Sequence, residues 1–142
     1  MKGWPLATAG ALLALGCGTT YTPRPTAHVG VVISRGGAYY VKNGQRTPVG
    51  PLGGDLAALV SESPAALAHA KAARADLSVG VPCYITGLGS VVVGILAFSG
   101  PVGWVMMGAG GAIGGTGLGL MGAGLTHAVD AVNIHNDAVD AR

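Results

Sequence analysis

Between Asp76 and Asp130 the chain runs for 53 residues without an aspartate, glutamate, lysine or arginine. His127, at the very end of that run, is its one imidazole. A helix crossing a bilayer needs about 20 predominantly apolar residues, so a charge-free run of this length accommodates two crossings and a turn. The turn has a place, because Ser99-Gly100-Pro101-Val102-Gly103 near the middle is a cluster of turn-forming residues. This layout predicts one span over residues 79–98 and a second over 102–125. The buried core of a water-soluble protein is the other use for so apolar a run. Core helices keep a polar stripe toward solvent, and neither segment has one.

Composition closes other classes. Charged residues make up 10% of the 142, against about 25% in an ordinary soluble domain. Half the residues are hydrophobic, which excludes a charged, solvated disordered chain. A net charge of +2 offers no electrostatic footprint for nucleic acid. The 26 glycines follow no Gly-X-Y period, so a collagen helix is excluded as well.

The two expected spans differ in kind. The first carries Ile85, Val91, Val92, Val93, Ile95 and Leu96, side chains suited to lipid. The second is rich in glycine, and within it Gly111, Gly115, Gly119 and Ala123 recur every four residues. In lipid no hydrophobic force drives helices together, so a face of small residues that permits close approach does that work. The expected partner of this face is the first span or the same span of a second copy.

At the amino terminus, Met1-Lys2-Gly3-Trp4-Pro5 is a short basic start, and residues 6–15 form a ten-residue apolar run followed by Gly16-Cys17. Ten residues are too few to cross a bilayer and match the apolar region of an export signal. The segment Leu13-Ala14-Leu15-Gly16-Cys17 resembles the lipobox of bacterial lipoproteins, in which signal peptidase II cuts before the cysteine and that residue is acylated. Gly16 and Cys17 match the two positions nearest the cut, whereas Ala14 stands where leucine is usual. The resemblance covers only the first 17 or 18 residues. It implies that residues 1–16 are removed, that Cys17 carries covalent lipid as the only cofactor-like group, and that residues 18–76 lie on the exported, periplasmic side of a bacterial envelope. Gly18 replaces the aspartate that often follows the cysteine in lipoproteins kept at the inner membrane, so the resemblance favours the outer membrane. Cys83 is then left without a disulfide partner and is read as a small packing residue.

Residues 17–27 read as the lipidated end and a Thr- and Pro-containing tether. Residues 28–77 read as a small strand–helix domain. Val29-Gly30-Val31-Val32-Ile33 and Ala38-Tyr39-Tyr40-Val41-Lys42 are strand-like, and Asn43-Gly44 is a strong hairpin signal. Gln45-Arg46-Thr47-Pro48-Val49 is a short third strand that Pro48 confines to an edge. The expectation is a two- or three-stranded antiparallel meander. A short helix from Asp55 follows, and Ser63-Pro64 then starts a second, Ala-rich one over 65–77. Residues 18–76 carry six basic and three acidic side chains, read as a solvated surface. A unit this small buries little of its own surface, so it is expected to lean on the bilayer or on a partner.

Residues 78–126 are the membrane hairpin, and 127–142 are read as the second span continuing out of the bilayer as an amphipathic helix. His127, Asp130, Asn133 and Asn136 or Asp137 would share its polar face. A metal site would draw its candidate ligands from His127, Asp130 and His135, whose imidazoles and carboxylate suit a transition ion. His127 and His135 are two turns apart, and no HExxH or paired-cysteine spacing supports such a site, so none is expected. No G-x-S-x-G, phosphate-binding or dinucleotide motif occurs in the sequence either. The fold class expected is a two-span helical hairpin with a small α+β segment outside it. The function expected is a non-enzymatic structural, scaffold or assembly role for a lipid-anchored membrane protein, in contact with lipid and with a protein partner or another copy. The alternative is a homo-oligomeric channel or membrane-perturbing protein built on the glycine-rich span.

Overall fold

In a computed structural model of the chain, residues 25–34 and 36–142 are described. The expectations for the signal segment, for Cys17 and for most of the tether fall outside them.

The β-branched and aromatic run after residue 28 forms three strands, β1 (Gly30–Ser34), β2 (Gly37–Lys42) and β3 (Gln45–Pro48). They pair antiparallel in the order β1-β2-β3. Lys42 faces Gln45 across a two-residue loop in which Asn43 and Gly44 both have positive φ, 52° and 77°. That loop geometry matches the twist of the strands, and asparagine and glycine adopt it at least cost. Pro48 ends β3 at the edge of the sheet, where a missing N–H is tolerated.

Helix α1 (Leu56–Leu59) is a single turn. Asp55 stands at its N-cap, but the side chain makes no capping bond there. The helix is held at its other end, where the Lys42 ammonium donates to the Leu59 carbonyl at 2.7 Å and to Glu62 at 3.0 Å. A cation there offsets the partial negative charge of the last carbonyls.

Helix α2 (Pro64–Ala97) starts as expected, with the Ser63 hydroxyl accepting from the Ala66 N–H and proline at the first turn. It then runs without a break through Pro82. The Ala-rich helix expected over 65–77 and the first apolar segment are thus one rod. Residues on both sides of Pro82, Gly80 and Gly87, press against the neighbouring helix, which holds the two halves in line. After residues 98–100, helix α3 (Pro101–Asp140) covers the second apolar segment and the tail in one piece. Gly100 takes φ 76° in this turn, a conformation unfavourable for a residue with a Cβ. At 1.5 Å per residue the two rods are about 50 and 60 Å long.

The rods pack antiparallel through backbone. Ala66, Ala73, Gly80, Gly87 and Gly94 are buried at seven-residue intervals on α2, and Gly103, Gly110, Gly117, Gly124 and Ala131 on α3. A Cβ added to Gly110 would lie 2.7 Å from the Gly87 carbonyl oxygen, and one on Gly103 3.0 Å from that of Gly94. One on Gly124 would approach the Ala73 carbonyl to 3.1 Å. Within one chain the seam uses a different face from Gly111, Gly115, Gly119 and Ala123: the three glycines have open space where a Cβ would be, and Ala123 is exposed with them. The reason is angular. Steps of four drift about 40° around a helix, whereas steps of seven drift about 20° the other way and stay facing a partner over many turns.

Both rods are long and apolar enough to cross a membrane by length and composition. Only 17% of the most apolar window of each is buried, far less than in a core helix. Large side chains such as Ile85, Ile95, Leu96, Trp104 and Val105 point outward, with Leu96 80% and Trp104 73% exposed. At the other end of the hairpin, Val29, Tyr40, Leu56 and Val60 pack on Ala66, Ala70, Ala73, Ala128 and Ala131. The small domain thus leans on the ends of its own two helices.

Candidate functional site

Where the rods meet the strand domain, alanine takes over the seam from glycine, and the register that sets Ala73 beside Gly124 brings residue 69 next to residue 127. His127 and Asp130 lie one turn apart on α3 and share a face. His69 reaches them from α2. The two imidazoles are hydrogen-bonded Nδ1 to Nδ1 at 3.2 Å, one donating and one accepting. Their ring centroids are 5.3 Å apart, with the planes tilted by 56°. The Asp130 Oδ2 lies 3.8 Å from the His69 Nδ1, and the ligating atoms of His69, His127 and Asp130 all fall within 4.8 Å of one another. On the far side of the His127 ring, its Nε2 is 3.9 Å from the Asp76 Oδ2. All four side chains are partly open to solvent.

Of the candidate ligands read from the sequence, His127 and Asp130 are therefore brought together and His135 is not. Eight residues on, and about 12 Å along the axis, His135 is 1% exposed. Its Nε2 faces the Ala27 carbonyl at 3.3 Å, and its Nδ1 has no partner among the described residues. Its role is to seat the chain before β1 on α3. Asn136 does the same with both ends of its amide: Oδ1 accepts from the Val29 N–H at 2.8 Å and Nδ2 donates to the Val29 carbonyl at 3.1 Å. The His28 Nε2 pairs with Asp140 at 2.7 Å. Nearby, the hydrogen bond from Lys42 and then its charge hold the Glu62 carboxyl below its ordinary range, and Arg142 adds to the effect.

His69 and Asp76 escaped the sequence reading because they sit in an Ala-rich helix with no local motif. The seven-residue spacing of small residues on both rods would have aligned them with His127. Between the sheet and α3 lies an apolar groove of about 390 Å³, lined by residues including Val31, Tyr40, Leu125, Val129 and Val132. Burial in this region pushes the Tyr40 phenol up from its usual range. Of the other positions singled out, Cys17 lies outside the described residues, and Gly111, Gly115, Gly119 and Ala123 line the outward side of α3. No protein-family model matches the chain, and neither a curated protein nor a solved structure matches it.

Proposed function

We propose that the chain is a lipid-anchored integral membrane protein of the bacterial envelope with a structural, scaffold or assembly role. In this reading the hairpin is the anchor and the three-stranded domain is the part presented to partners. One observation carries it: large apolar side chains face outward around both rods, while the seam between the rods is closed by backbone contact. Lipid solvates such a surface and water does not, and a closed seam leaves no lumen within one hairpin. The 19 residues of 79–97 extend about 28 Å as a helix, close to the hydrocarbon thickness of a bilayer. The contacts of Asn136 and Asp140 with Val29 and His28 accord with both ends of the hairpin lying on one side of the membrane. The lipobox-like Cys17 makes that side the exported one. No catalytic step is assigned.

Metabolic labelling with a fatty-acid analogue tests the anchor. Label on the wild-type chain, lost in Cys17→Ser, is the expected result, and an unlabelled wild type overturns the lipoprotein assignment. The alternative, a channel of several copies meeting through the exposed Gly111, Gly115, Gly119 and Ala123 face, makes a different prediction. Steady ion or dye flux from liposomes carrying the protein would displace the scaffold reading.

A further inference from the structure

We propose that His69, His127 and Asp130 form a binding site for a divalent transition ion, zinc in the first instance, that clasps α2 to α3 just outside the apolar segments. A tetrahedral ion with bonds of about 2.0–2.1 Å to nitrogen sets its ligand atoms about 3.3 Å apart. The two Nδ1 atoms are already 3.2 Å apart. Asp130, one turn from His127, supplies the third donor at 3.8 Å from His69, within reach of a small side-chain rotation. Two imidazoles and a carboxylate are a donor set for zinc, copper or nickel, and a poor one for calcium or magnesium, which take oxygen ligands.

A second feature points the same way. A metal-bound imidazole characteristically donates its other ring N–H to a carboxylate, which fixes the ring and raises its basicity. Asp76 stands on that side of His127, 3.9 Å from Nε2, and a small rotation into hydrogen-bond distance would turn the His127 Nδ1 lone pair toward the cluster. His69 would present its own lone pair by carrying its proton on Nε2, a change of tautomer that its exposure to solvent allows. Three protein ligands leave the fourth position of a tetrahedron to water or an external donor. Partial exposure of all three side chains gives the ion a path in. The donors come from two different rods, so a bound ion resists their separation. This site stands independently of the lipid anchor and of membrane insertion.

The test uses the full chain in detergent, purified without a histidine tag, stripped with chelator and titrated with Zn²⁺ and with Co²⁺. One ion per chain should bind, with the visible absorption of tetrahedral Co²⁺, and zinc should raise the melting temperature. His69→Ala and His127→Ala should each weaken binding by more than tenfold, and Asp76→Ala by about tenfold as an outer-shell loss. His28→Ala should bind as the wild type does. Wild-type affinity no higher than that of a His69→Ala/His127→Ala double variant overturns the proposal, as does full binding by either single variant. A circular-dichroism spectrum shared by the metal-free variants separates lost binding from lost folding.

Discussion

Asn136 shows how much of the assembly one side chain can carry. Val29 is 2% exposed, and Asn136 satisfies both its N–H and its C=O, as a neighbouring strand would. Leucine at this position would fill similar volume and leave both groups unpaired. Each buried polar group left without a partner costs about 1–3 kcal/mol. Asn136→Leu should therefore lower the melting temperature and expose the Val29 amide to rapid hydrogen exchange, while the amides of the hairpin stay protected. Retained protection at Val29 would show that the amide contact is not what holds β1. Asparagine on a helix near its end reads in a sequence as a polar face, which was expected for Asn136. That this face grips the backbone just before a strand, more than a hundred residues earlier, depends on tertiary placement and has no local signature.

The elements themselves were legible where local chemistry decides. Asn43-Gly44 forms its loop because only a few residue types tolerate two consecutive positive φ angles, and Ser63-Pro64 starts α2 through a cap that is written in two residues. The helix pairing was legible only in part. Gly111, Gly115 and Gly119 stand out by eye because they crowd one segment, but a seam needs agreement between two segments. Ala66 to Gly94 on one rod and Gly103 to Ala131 on the other provide that agreement at intervals of seven. The two glycine sets should respond oppositely to the same change. Gly87→Leu drives a side chain into the backbone of Gly114 and should cost about 3 kcal/mol or more through overpacking. Gly115→Leu meets open space and should be neutral or gain up to about 1 kcal/mol of helix propensity. Unfolding midpoints of the two variants in one detergent would check this. A larger loss at Gly115 would return the seam to the face first expected.

At the scale of the whole molecule, the strand domain and the hairpin are one construction. The core that includes Val29, Tyr40, Leu56 and Val60 is completed by Ala128 and Ala131, and α3 contributes His135 and Asn136 beyond them. Removing residues 127–142 leaves all three strands intact in sequence but takes away the surface on which they rest. The truncated chain should still insert in detergent, with its helical signal reduced only by the missing turns. Its residues 25–60 should become open to protease, and limited proteolysis followed by mass mapping would show it. Persistence of the strand domain as a resistant fragment would mean that it folds alone. The interdependence follows from size, because so few residues cannot enclose a core and must borrow one wall.

The backbone seam also has a bearing on inheritance. Contact between main chains asks nothing of a residue except that it be small, and it asks this at ten places spaced by sevens. Along the apolar segments the outward positions carry no such demand, and in lipid leucine, valine, isoleucine and phenylalanine would serve alike. The apolar segments could thus exchange most of their outward letters and keep the same shape. What persists across such drift is a rhythm of sizes.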